Sequence, residues 1–277
     1  MNIKGALKMD IGKYMVAEGE KPLDNIVTNG GFCGIFRKIA CIGDSLSSGE
    51  FESRMNGVTG WHDYYDYSWG QYLARDAGCT VYNFSKGGMS AKEYCEEFAK
   101  ANDLWNIEKR CPAYIIALGV NDVTHMIEGR YELGTIDDVD KDNYKNNAET
   151  FAGWYAQIIQ RYKENQPKAK FFLMTMPKEP MRDEKRKELN AKHNQLMYQM
   201  AELFENCYVI DLFKYAPEYN EEFKKNFYLA GHLNAAGYRL TALMVESYID
   251  YIIRHNPEDF KQIGFVGTPF YNEDFKW

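Results

Sequence analysis

Four residues of this chain could do chemistry together, and each stands where an apolar run breaks off. Ile39 to Gly43 reads as a short buried strand that ends in Asp44-Ser45-Leu46 and a Gly-containing loop. In an open α/β sheet the C-terminal strand ends face the ligand crevice, and the helix after Ser45 would turn its free N–H groups toward whatever the serine attacks. The same Asp44-Ser45 pair could also serve only as a helix cap. A second run, Thr80 to Phe84, ends in Ser85-Lys86-Gly87-Gly88-Met89-Ser90, where two glycines let the backbone approach a bound group, so that the Gly88 N–H could face the same point. A third, Ala113 to Leu118, ends in Gly119-Val120-Asn121-Asp122. The Asn121 amide can donate to a developing oxyanion, although Gly and Asn also suit an ordinary turn. Of five histidines, His232 alone lies in a Gly-bounded loop between two hydrophobic elements, with Asn234 as the N-cap of the helix that follows. Nucleophile, two oxyanion donors and general base is the set these types and places make.

The elements that must position this set alternate regularly. Further apolar runs at Ala169–Met176 and Cys207–Asp211 complete five strands, and helical patterns separate them at Trp69–Ala77, Ala91–Lys100, Tyr144–Asn165 and Lys185–Phe204, with a last helix through Ile253. Such alternation predicts an α/β protein, a three-layer α/β/α sandwich around a five-stranded parallel sheet. Residues 1–36 read as a lead-in, 37–258 as the domain, and 259–277 as a tail with Phe265, Phe270, Tyr271, Phe275 and Trp277. The stretch Phe51 to Tyr67 reads as a long aromatic loop beside the catalytic edge, with Trp61 and Tyr65 as walls of a substrate pocket. His62, Asp63 and Asp66 in it read as surface groups rather than metal ligands, and no metal or cofactor is expected. His193, in a charged helical stretch, reads as solvated, His125 as part of a polar insertion, and His255 as a helix-end cation.

Composition narrows the classes. A chain of 277 residues, 45% hydrophobic, can bury one sizeable core with decorations. A net charge of -7 with no basic cluster argues against a nucleic-acid partner. No apolar run approaches the roughly 18 residues of a membrane span. Met1 to Glu20 lacks a signal-peptide core, so a cytoplasmic location is expected. Six cysteines without CxxC spacing read as reduced core residues. The aromatic share of 15% suits both core filling and a face that stacks on sugar rings.

On these residues the chain resembles the SGNH hydrolases, also called GDSL esterases and lipases. Gly43-Asp44-Ser45-Leu46 is similar to their first block, Gly88 to the glycine block, Gly119-Val120-Asn121-Asp122 to the asparagine block, and His232 through Tyr238 to the last. The resemblance implies a flavodoxin-like SGNH hydrolase fold over roughly 38–255. It implies Ser45 as nucleophile, His232 as base, and an oxyanion hole of the Ser45 N–H, the Gly88 N–H and the Asn121 side chain. One departure stands out: the family usually carries an Asp three residues before the histidine, where this chain has Leu229. A backbone carbonyl in a dyad, a carboxylate from elsewhere such as Asp211 or Glu222, or a degraded site would each account for it, and the intact remainder favours the dyad. The expected activity is carboxylic-ester hydrolysis, with a carbohydrate O-acetyl group as first substrate and a lipid or thioester-like acyl group as second. A non-catalytic carbohydrate-binding protein is the rival reading. A small-molecule or carbohydrate acyl ester is the expected partner, and homo-oligomerisation stays open.

Overall fold

In the computed structural model, which describes residues 11–180 and 183–275, the apolar runs become strands in the expected order. They are β1 (Lys38–Gly43), a hairpin of β2 (Glu50–Met55) and β3 (Val58–Asp63), β4 (Thr80–Ser85), β5 (Ala113–Ala117), β6 (Lys170–Met174), β7 (Cys207–Ile210), and a short hairpin of β8 (Tyr228–Leu229) and β9 (His232–Leu233). The helices are α1 (Ser45–Ser48), α2 (Trp69–Ala77), α3 (Ala91–Glu93) running through a π turn into α4 (Ala99–Ala101), α5 (Val120–Ile127), α6 (Phe151–Asn165), α7 (Glu184–Leu203), α8 (Leu212–Tyr215), α9 (Glu221–Phe227), α10 (Ala235–His255) and α11 (Pro257–Phe260). Residues 1–10 of the lead-in and Trp277 of the tail lie outside the described residues.

Five strands pair in parallel in the order β4-β1-β5-β6-β7. Side chains alternate across a pleated strand, so a strand buried on both faces feeds two cores. Ala40, Ile42, Tyr114, Ile116, Phe171 and Leu173 join the core under α3 and α6. Ile39, Cys41, Ala113, Ile115, Phe172 and Ile210 join the other, under α2 and α10. This is the three-layer sandwich that the alternation predicts. The winding reverses at β1 and β5, which is where open α/β sheets form their crevice. Ser45 follows β1 and Asn121 follows β5.

The lead-in contributes Cys33 and Phe36 to the second core. It is fastened to α10 by Arg254, whose guanidinium meets Glu20 and Asp250 and donates to the Met15 carbonyl. All six cysteines are free and five are buried. Among the described residues no helix is long and apolar enough to cross a membrane.

Three expectations need correction. The aromatic loop is a β-hairpin from Glu50 to Asp63 followed by a 3-10 turn at Tyr65–Tyr67. Asn56-Gly57, with positive φ at both residues, closes it, a turn signal that the aromatic residues around it obscured. The helix expected from Tyr144 begins at Phe151, because the Thr150 side chain accepts from the Gly153 N–H and caps it there.

His193, the third, is fully buried rather than solvated. Its Nε2 lies 3.1 Å from the Leu118 carbonyl and must donate to it, while Nδ1 has no partner. Leu189, Leu196 and Met200 are its neighbours on one helical face of α7, whose charges lie elsewhere on the helix. A side chain at Gly119, whose φ is 146°, would put its Cβ 2.6 Å from that Nε2, so the glycine is required both for conformation and for space. Burial holds His193 down at about 4. An unfolded imidazole, near 6.5, therefore binds a proton that the folded one refuses, and stability is lost as pH falls from about 6.5 toward 4. His193→Gln removes this dependence. The gap in melting temperature between wild type and variant, measured at pH 7.5 and pH 5, is expected to move in the variant's favour at the lower pH, and a constant gap would contradict a neutral buried His193.

Candidate active site

Ser45 is the first residue of α1, so its N–H has no acceptor within the helix. Asp44 caps this helix through the Leu46 N–H at 3.0 Å, so the capping reading of the pair holds together with the placement of the serine. Asp44 is almost completely buried, and desolvation pushes its carboxyl up to about 7.

Asn121 and Asp122 act as a two-residue clamp across the edge. The Asn121 Nδ2 donates to the Met89 carbonyl at 3.1 Å, and the Asp122 Oδ1 accepts from the Ala91 N–H at 2.9 Å. Both contacts grip the turn after β4 that carries Gly88. Gly88 has φ 76°, and open space lies where its Cβ would be. The turn thus bares its backbone toward the crevice. An amide carries two N–H groups, so Asn121 keeps one donor free beside Met89. Asp122 is also pushed up to about 7, first by burial and further by the nearby Asp44, while the Ala91 and Tyr131 donors oppose the rise.

His232 comes to this edge on β9, whose strand packs on α1 and on β2. The sequence suggested a loop here, and the structure has a tight hairpin with Ala230 at φ 57°. The Tyr238 hydroxyl, from the first turns of α10, donates to the Glu50 carbonyl at 2.6 Å and ties that helix to β2. The His232 Nε2 lies 3.1 Å from Glu50 Oε1. Its Nδ1 is buried and has no hydrogen-bond partner among the described residues, so none of their backbone carbonyls holds the ring as the dyad expectation required. Asp211 and Glu222 are not on the ring either. Asp211 is buried among Asn194, Tyr198, Thr175 and the Lys214 N–H, and Glu222 is exposed in the first turn of α9.

Glu50 and Glu52 are the residues that sequence reasoning missed. Residues two apart on a strand share a face, and here one face of β2 meets the histidine hairpin twice. Glu50 reaches the ring, and Glu52 accepts from the Gly231 N–H at 2.8 Å. Asp63, directly opposite Glu50 in the hairpin register, adds a third carboxylate and accepts from the Ser48 hydroxyl at 2.5 Å. His62 pairs instead with Phe51 on the opposite face, so the polar residues of this stretch do not converge. The signal in the sequence was Glu-Phe-Glu directly after the serine block. Burial holds His232 below its ordinary value despite the charges of Glu52 and Asp63, and burial with Asp63 raises Glu50. A histidine neutral at pH 7 can accept a proton.

Trp61, on the same hairpin face as Glu52, is mostly exposed. The Tyr65 hydroxyl donates to the Val81 carbonyl of β4 at 2.8 Å. A cavity of about 520 Å³ begins at Lys86–Met89 and runs along Glu93, Glu97 and Phe98 to Asn102.

The comparisons with known proteins agree with this architecture. No curated protein matches the chain. A carbohydrate esterase family 2 enzyme plus carbohydrate binding domain from Corynascus thermopiles (Myceliophthora fergusii) superposes with a TM-score of 0.54 at 14% identity, over 78% of this chain and 66% of that one. A family two carbohydrate esterase from Clostridium thermocellum, in complex with cellohexaose, gives 0.51 at 14% identity over 80% and 65%. The acetyl xylan esterase AlAXEase gives 0.50 at 19% identity over 76% and 99%. At such identities the likeness speaks for the fold alone. The sequence itself matches the GDSL-like lipase/acylhydrolase family over residues 41–240, a span that holds Ser45, Gly88, Asn121 and His232. The chain therefore belongs to the GDSL-like lipase/acylhydrolase family and is an acyl-ester hydrolase of the GDSL type.

Proposed function

We propose that this enzyme removes O-acetyl or other small acyl groups from a carbohydrate, with Ser45 as nucleophile. Ser45 Oγ attacks the ester carbonyl as its proton passes to His232. The Ser45 N–H, the Gly88 N–H and the free Asn121 N–H hold the oxyanion, and the proton then goes to the departing sugar oxygen. Water attacks the acyl-serine by the reverse route and releases the acid. What supports this reading is that the Asn121 amide is fastened to the Gly88 turn and that the helix begun by Ser45 packs on the strand that carries His232. A carbohydrate alcohol is supported by the cavity beside Gly88, which offers Lys86, Glu93, Glu97 and Asn102 as hydrogen-bonding groups and Phe98 as an apolar surface.

A panel of p-nitrophenyl esters and an acetylated xylooligosaccharide tests the reading. Acetate is expected to exceed octanoate by at least about tenfold in kcat/KM, with deacetylation of the oligosaccharide detectable. A preference for long acyl chains would contradict it. Asn121→Ala is expected to lower kcat by on the order of 100-fold with KM little changed, since the oxyanion exists only as the reaction proceeds. A loss confined to KM, in the same assay, would move Asn121 from the oxyanion to substrate binding.

A further inference from the structure

We propose that Glu50 is the positioning carboxylate of His232, supplied by the strand after the serine block in place of the position that Leu229 occupies. Leu229 is about half exposed and apolar and cannot orient an imidazole. Glu50 is the one carboxylate within hydrogen-bond distance of the ring among the described residues, at 3.1 Å. Three features hold it there. The Tyr238 hydroxyl fixes its backbone carbonyl at 2.6 Å. Gly87 makes room for its other oxygen, since a Cβ at that position would fall 2.0 Å from Oε2. Glu52, two residues on, holds the Gly231 N–H, and a side chain at Gly231 would collide with it at 2.6 Å. One strand thus steadies both the ring and the turn that carries it.

The chemistry follows from the contact. A carboxylate accepts, so the neutral ring carries its proton on Nε2 and its lone pair on Nδ1, an atom with no other partner. When the ring takes the Ser45 proton it becomes a cation, and Glu50 stabilises that cation as the oxyanion forms. When the proton leaves for the sugar oxygen, the ring returns to neutrality with Glu50 still ionised. The charged groups acting on the ring are Glu50 and Glu52 from β2 and Asp63 from β3.

The proposal rests on His232 as the base, and Ser45→Ala serves as the separate control. If that variant keeps its activity, the site reading fails whatever Glu50 does. With Ser45 established, Glu50→Gln in the full chain, assayed on p-nitrophenyl acetate, is expected to lower kcat by on the order of 100-fold with KM within about twofold. The acid limb of the profile should move to lower pH, because a neutral neighbour favours the imidazolium less. Glu50→Asp, which keeps the charge, should recover about tenfold of the loss. Wild-type kcat and an unmoved acid limb in Glu50→Gln would overturn the proposal, as would equal losses in Gln and Asp with a lowered melting temperature. Nitrogen-15 NMR of the wild-type histidines decides the matter without a variant. A neutral His232 protonated on Nε2 is expected, and one protonated on Nδ1 overturns it.

Discussion

Ser45→Ala is expected to lower kcat for acetate hydrolysis by on the order of 10⁴-fold or more, while the melting temperature stays within about 2 °C of wild type. The two halves have different causes. In the proposed mechanism hydrolysis passes through an ester to Oγ, and the neighbouring serines cannot replace that atom: Ser47 and Ser48 are buried, and the Ser48 hydroxyl is on Asp63. Stability is spared because α1 is capped by the Asp44 side chain and carried by its backbone hydrogen bonds, none of which uses Ser45 Oγ. The residual rate would come from the oxyanion donors acting on an attacking water. Steady-state kinetics with active-site titration separates this outcome from contamination by wild type. Turnover near the wild-type value in a folded Ser45→Ala protein would remove the nucleophile assignment.

A second large effect is expected at His232. His232→Ala should lower kcat by on the order of 10⁴-fold, because Ser45 would lose its proton acceptor and the leaving oxygen its donor. The pH profile carries the same information in the wild type. Ordinary imidazole titrates near 6.5, and a profile with its acid limb there would suit a solvated histidine. Burial outweighs the Glu52 and Asp63 charges and lowers His232, so the acid limb of kcat/KM is expected below that value. Below the limb the ring is a cation and cannot accept the serine proton. Added imidazole should restore part of the His232→Ala activity if the cavity left behind admits it, with a rate that rises as the added base is deprotonated. An acid limb that persists unchanged in His232→Ala would show that it reports another group.

The sheet was legible because its central strands β1, β5 and β6 are buried on both faces and so read as nearly continuous apolar runs. One helix cap was legible as well: Asn234 accepts from the Gly237 N–H of the helix it begins. What escaped reading was set by distance. Glu50 is nearly two hundred residues from His232 along the chain, and its contact needs β2 to fold back as a hairpin, a pairing that the surrounding aromatic residues hid. His193 was misjudged because its neighbours in sequence are charged, although its neighbours at helical spacing are Leu189, Leu196 and Met200. The tail shows the opposite case. Phe265, Phe270 and Phe275 have neither strand nor helix period, and about half or more of each is exposed.

The central claim is that acyl transfer passes through Ser45, and trapping the intermediate tests it most directly. Wild-type enzyme quenched during turnover of p-nitrophenyl acetate, then digested and analysed by mass spectrometry, should carry a single acetyl group on the peptide that contains Ser45. Ser45→Ala should carry none. An acetyl group on another residue, or an unlabelled wild-type enzyme in a reaction whose burst shows an accumulated intermediate, would contradict the account.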